Sequence, residues 1–197
     1  MARSVVFLDA CVLFPSLTRG ILLRLAEAGL FGSAWTPRVL MEWRIAAARD
    51  GGPAAEAMVD AITARMTAIF PDASVIPDPA VEQTLRLPDP ADTHVLAGAI
   101  AAGAGELLTF NMRDFPARRL AALGIVPRHP DGFLWEMLSH EPEVVCQAVY
   151  ETTAGTGVTD PDATRKALKR AHLPRFAKAW LAREGGGGLI RTRAEPS

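Results

Sequence analysis

An α/β fold is predicted: a three-layer α/β/α arrangement around a central parallel sheet of four or five strands, followed by a C-terminal helical extension. Three observations predict it. Short continuous apolar runs recur, as strands buried on both faces require. Segments with apolar residues at helical spacing alternate with those runs, which favours parallel pairing through helical crossovers. Beyond residue 130 only the helical spacing remains.

Val5-Val6-Phe7-Leu8 is the first predicted strand. Leu17, Ile21, Leu22, Leu25 and Ala28 then repeat at helical intervals, and Gly29 suits the helix end. Residues 31–35 allow a second strand. Thr36-Pro37, a capping hydroxyl before a first-turn proline, opens a helix to about Ala48. Asp50-Gly51-Gly52-Pro53 breaks it, and Met58, Ile62, Met66 and Ile69 mark the next helix. Ser74-Val75-Ile76 reads as a strand. Leu87-Pro88-Asp89-Pro90-Ala91-Asp92 turns into a helix ending near Gly103, with Asp89 as its N-cap. Residues 106–109 give a strand, 116–123 a short helix, and Ile125-Val126 a last strand. Helices are predicted at 131–139, 142–153, 162–172 and 174–184, and no internal repeat is visible.

The 197 residues, 49% of them apolar, suit one domain with an appendage. Net charge is −1, but its distribution is uneven: residues 1–162 carry 12 Lys/Arg against 20 Asp/Glu, and residues 163–197 carry 9 against 2. An acidic body with a basic end points to a polyanion, with a solvated helical face as the alternative. Two distant cysteines, Cys11 and Cys146, predict a reduced, cytoplasmic protein, with Cys11 filling a small apolar slot. No signal peptide is expected, because Asp9 interrupts the first apolar run, and no membrane span is expected, because no apolar stretch is long enough to cross a bilayer.

Parallel sheets place their sites beyond the carboxyl ends of the strands. Asp9 and the turn through Asp114 belong at that edge, and Glu42 and Asp92 sit near helix starts that face it. Gathered carboxylates repel, by roughly 4 kcal/mol for a pair about 4 Å apart at an effective dielectric near 20. An all-oxygen cluster of this kind suits Mg²⁺ or Mn²⁺. Each acid also has an ordinary reading: Asp9 ends a strand, Glu42 decorates a helix surface, Asp92 complements a helix dipole, and Asp114 caps the following helix or closes its turn. Arg113, beside the acids, is the better candidate for a substrate phosphate. Arg165, Lys166, Lys169 and Arg170 are helical neighbours able to follow a phosphate backbone. His94 lies about 200° around the helix from Asp92 and is read as structural. His129, His140 and His172 have no ligand spacing, and Trp43, Trp135 and Trp180 are read as core or interface.

Four segments resemble the PIN domain, in its VapC-like toxin branch: Leu8-Asp9-Ala10-Cys11-Val12-Leu13, Thr36-Pro37-Arg38-Val39-Leu40-Met41-Glu42, Asp92-Thr93-His94-Val95-Leu96-Ala97-Gly98-Ala99 and Leu108-Thr109-Phe110-Asn111-Met112-Arg113-Asp114-Phe115. They occur in the family's order over about residues 4–127. The resemblance divides the chain into a PIN-like nuclease domain at 1–127, a helical extension at 128–184 and a flexible tail at 185–197. It implies a Mg²⁺- or Mn²⁺-dependent ribonuclease, with Asp9, Glu42, Asp92 and Asp114 as metal-site and catalytic acids. Asp9 and Asp92 would coordinate directly, Asp114 would complete the shell or hold a metal water, and Glu42 would orient or deprotonate the attacking water. Thr109 matches the family's hydroxyl near the metal. Asn111 stands where relatives carry an acid, so the fourth acidic role falls to Asn111 or Asp114. The family suggests water rather than the ribose 2′-OH as nucleophile, a co-expressed antitoxin and a homodimer. Leu17, Leu25 and Trp43 would belong to the core, or else to an antitoxin groove or dimer contact. Rival readings are a housekeeping RNA-processing nuclease, a non-catalytic RNA- or protein-binding module, and an aspartyl phosphatase. The last needs a second aspartate where Cys11 stands.

Overall fold

The computed structural model describes residues 4–186. Four strands, β1 (Val5–Leu8), β2 (Gly32–Ala34), β3 (Glu106–Leu108) and β4 (Val126–Arg128), form one sheet in the order β2-β1-β3-β4. All pairings are parallel, with Phe7 opposite both Ala34 and Leu107, and Leu107 opposite Pro127. The strands are short apolar runs, and Val6, Phe7, Leu8, Leu107 and Leu108 are fully buried. This is an α/β fold, compatible with the three-layer expectation.

The connections are helical. After β1 come α1 (Ala10–Leu13) and α2 (Ser16–Glu27), and after β2 come α3 (Pro37–Ile69), α4 (Pro79–Thr84), a 3₁₀ turn (Pro90–Asp92) and α5 (Thr93–Ala101). α6 (Ala117–Ala121) leads into β4, and α7 (Pro130–His140), α8 (Pro142–Ala154), α9 (Pro161–Arg170) and α10 (Pro174–Gly186) follow. Thr36 caps α3 by accepting from the Val39 N–H at 3.2 Å, ahead of Pro37. α3 is interrupted where Gly51-Gly52-Pro53 predicts a break: Gly52 has φ 67° and ψ −163°, a conformation open mainly to glycine. The chain reverses there. Arg44 pairs with Asp60 at 2.8 Å, although sixteen residues of straight helix would separate them by about 24 Å.

The expected strand at Ser74-Val75-Ile76 is corrected to a single bridge, Ser74 to Trp35. The segment lies between Pro71 and Pro77, and Pro77 has no N–H to extend the ladder. Ile76 is left 76% exposed.

α7 to α10 pack their apolar side chains into the same core as the sheet, through Phe133, Leu134, Val145, Leu168, Phe176 and Trp180. Phe133 meets Phe31 edge-on at 5.4 Å. Leu25 and Trp43 are buried, so core packing is their role. α10 continues through Gly186, and the tail expected to be flexible lies from residue 187 onward outside the described residues.

α5 lies close on the sheet because Gly98 has no side chain. A Cβ there would stand 2.6 Å from both Phe7 Cζ and Thr36 Cγ2. Gly98→Ala is expected to destabilise by about 1–3 kcal/mol through overpacking. In urea the midpoint should fall with m unchanged; an unshifted midpoint would mean α5 has room to move.

Candidate active site

The strand order reverses between β1 and β3. The chain leaves β1 toward β2 and leaves β3 toward β4, so the following loops diverge and open a crevice at the carboxyl edge. Asp9 and Thr109 are the first residues past these two strands. The Asp9 N–H donates to Leu108 O at 3.1 Å, and the Thr109 N–H donates to Arg128 O at 3.1 Å, which fixes both backbones.

Asp9 is 6% exposed and Thr109 is fully buried. Asp9 Oδ2 accepts from Thr109 Oγ1 at 2.7 Å and from the Cys11 thiol at 3.1 Å. Thr109 Oγ1 in turn accepts from the Asn111 N–H at 3.0 Å, and Cys11 Sγ accepts from the Phe110 N–H at 3.2 Å. Cys11 therefore does not fill an apolar slot. It ties the β3 loop to the Asp9 carboxylate. Burial, and secondarily the Asp9 charge, push its thiol up to about 12, so it stays protonated and acts as a donor. Burial also raises the Asp9 carboxyl above its ordinary range; the Cys11 and Thr109 donors oppose this, and the Glu42 charge adds to it.

Asp92 stands at the end of the 3₁₀ turn, half-buried. Its carboxyl is pushed up to about 6 by burial first, then by the charges of Asp9, Asp114 and Asp89, with His94 opposing. These perturbations link the acids through space: Glu42 acts on Asp9, while Asp9 and Asp114 act on Asp92. Asp89 carries out the capping, accepting from the Ala91 N–H at 2.8 Å, and the Asp92 side chain caps nothing. Asp114 closes a turn through its own N–H to Asn111 O at 3.0 Å, and no side chain caps α6. The helix-capping alternative for Asp114 is thereby set aside, while Asp92 does stand at a helix start, where its charge also complements the dipole. Asn111 is exposed, and the charge felt by Asp92 comes from Asp114.

Glu42 is held from two sides. Buried His94 Nε2 lies 2.8 Å from Glu42 Oε1, and Arg38 Nε lies 3.6 Å from the same oxygen while its Nη1 reaches Glu82. His94 Nδ1 is buried without a partner. The reading of His94 as structural is thus incomplete. It does face into the protein, and there it meets an acid from a different helix. No local spacing signals this contact. For the ribonuclease that the sequence resemblance implies, His94→Ala is expected to lower kcat by about tenfold with little change in KM, in the range of lost outer-shell partners. His94→Gln, which keeps a donor, should restore part of it. Equal kcat for all three proteins would leave His94 no positioning role.

Arg113 is exposed on the turn beside Asp114. On α9, Thr164 and Leu168 form the buried face, with Lys166, Lys169 and Arg170 exposed; Arg165 pairs with Asp162 at 3.3 Å. Among the described residues, no group of three or more His, Cys, Asp or Glu side chains is placed to hold a metal ion. The acids share a field rather than a closed set of contacts. No helix among the described residues is long and apolar enough to cross a membrane. In comparison with known proteins, the chain matches no family model, no curated protein and no solved structure.

Proposed function

We propose that this protein is a Mg²⁺- or Mn²⁺-dependent endoribonuclease of PIN-like type, with its site at the carboxyl ends of β1 and β3. The observation that carries this reading is the buried Asp9 carboxylate at the crevice where the strand order reverses, with the charge of Glu42 acting on it and the charges of Asp9 and Asp114 acting on half-buried Asp92. Acids whose pKa is raised by burial and by neighbouring negative charge in a cleft are a functional signature. The donor chemistry fits a hard divalent cation: carboxylate oxygens, with the one nearby sulfur held as a neutral thiol.

Asp9 and Asp92 would hold the ion, and Asp114 would complete the set directly or through water. When bound, the ion lowers the pKa of a water and offsets charge on the phosphate. Thr109 and Cys11 fix the orientation of Asp9. Glu42, braced by His94, is the acid left to orient the attacking water and take its proton. Arg113, exposed on the turn beside Asp114, is the cation we assign to a substrate phosphate.

The sequence resemblance makes a toxin of a type II toxin–antitoxin pair, acting in the cytoplasm as a homodimer, the first biological role to test. Met41 and Ile45, one turn apart on the first arm of α3, are exposed apolar side chains that suit an antitoxin or a second copy. A housekeeping RNA-processing nuclease would have the same chemistry without the antitoxin. A non-catalytic PIN-like module is the second reading, and the lack of a closed three-ligand group among the described residues favours it. Incubation of purified protein with single-stranded RNA separates them. Cleavage in Mg²⁺, suppressed by EDTA and by Asp9→Asn, supports the nuclease; EDTA-insensitive binding without cleavage supports the module.

A further inference from the structure

Resting on the nuclease reading, we propose that the turn between α9 and α10 holds the bases of single-stranded RNA beside the acidic crevice. His172, Phe110 and His129 form the stacking surface, and Lys169 and Arg170 follow the backbone.

Three distant parts of the chain meet here. Phe110 follows Thr109 at the end of β3, His129 follows β4, and His172 lies in the α9–α10 turn. The Phe110 ring meets both imidazoles edge-on, at 5.1 Å from His129 and 5.9 Å from His172. The cluster is next to the site, because the Phe110 N–H donates to Cys11 Sγ and the Cys11 thiol donates to Asp9. A second contact fixes the turn in place: Thr18 Oγ1 donates to Ala171 O at 3.5 Å, at the start of α2.

His172 is the one non-glycine residue among the described residues with a left-handed backbone, at φ 60°. It ends α9, where Leu173 N–H returns to Leu168 O at 3.0 Å, a position that glycine fills without strain. Here a strained residue instead carries an exposed flat ring against Phe110, and such outliers cluster at ligand clamps. His129 Nδ1 accepts from the Asp131 N–H at 3.1 Å, which locks that ring's orientation.

The charge is complementary to phosphate. Lys169 and Arg170 are exposed and make no ion pair among the described residues, whereas Arg165 is engaged by Asp162. Flat rings flanked by cations form the stacking platform and electrostatic track that single-stranded nucleic acids use. A duplex would keep its bases stacked on one another and out of reach.

The test measures binding of the full chain, in EDTA, to fluorescein-labelled oligoadenylate and to an abasic oligomer of equal length. His172→Gly keeps the left-handed backbone and removes the ring. It should weaken oligoadenylate binding by roughly tenfold and leave abasic binding unchanged. Phe110→Leu, which preserves apolar packing, should act in the same direction. The Lys169→Gln, Arg170→Gln double variant should weaken both probes and reduce the salt slope by about 1.4. Wild-type affinity of His172→Gly for both probes, or no binding of either probe to wild type, overturns the proposal. Cleavage assays on the same proteins distinguish the two readings. Unchanged kcat/KM in His172→Gly beside active wild type removes the stacking surface and leaves the nuclease. Base-dependent binding lost in His172→Gly, with no cleavage by wild type, removes the nuclease and leaves the stacking surface.

Discussion

Asp9→Asn should reduce Mg²⁺-dependent RNA cleavage by about a thousandfold, equivalent to about 4 kcal/mol of transition-state stabilisation. The fold should survive. The carboxamide is nearly isosteric, and its oxygen can still accept from Thr109 and Cys11, which now bond Asp9 Oδ2 at 2.7 and 3.1 Å. What disappears is the negative charge that would hold the cation. The substitution therefore separates charge from packing. Thermal midpoint in EDTA checks the fold, and cleavage at saturating Mg²⁺ checks the function. A folded Asp9→Asn protein with wild-type cleavage, free of contaminating nuclease, would sink the assignment.

The second large effect is a trade between stability and activity at Asp92. In the unfolded chain this group ionises near the ordinary carboxylate value of 3.8, and in the folded protein at about 6. Between those values the folded state holds a proton that the unfolded state has released. Stability therefore falls as pH rises through that window, and above about pH 6 the full cost of the charge is present. Asp92→Asn removes the cost. In EDTA at pH 7 to 8, on the order of 1 kcal/mol should be gained, allowing for solvent screening of a half-buried carboxylate. Below about pH 4 the two proteins should match in this respect. Mg²⁺ should reverse the ranking by stabilising wild type, by about 2.7 kcal/mol at a hundred times Kd, and Asp92→Asn much less. The variant should also lose cleavage. Equal pH–stability curves in EDTA would show that Asp92 is not held under repulsion; equal Mg²⁺ responses would remove it from the ion's ligands.

Much of the fold could be read locally. Thr36-Pro37 begins α3, Gly52-Pro53 is where it reverses, and Asp89 caps the turn before α5. Each is a backbone constraint expressed within a few residues. Ser74-Val75-Ile76 was misread because strand propensity says nothing about a free neighbour to pair with, and the flanking prolines limit it to one bridge. The acids were legible as strand-end and helix-start residues, whereas their supports were not. Cys11 appeared to be a small apolar filler, yet its partners lie about a hundred residues away at Thr109 and Phe110. Helix geometry alone turns His94 away from Asp92. Its partner, Glu42, arrives on another helix.

The order of strands and helices, the crossover pattern and the identity of the charged residues were determined by the sequence itself, since periodicity, capping and glycine or proline geometry act over short range. Which acids feel one another, which thiol and imidazole hold them, and which rings gather beside them were decided only when the sheet brought β1 and β3 side by side. Electrostatic repulsion and hydrogen bonding depend on distance through space, and separation along the chain does not encode that distance.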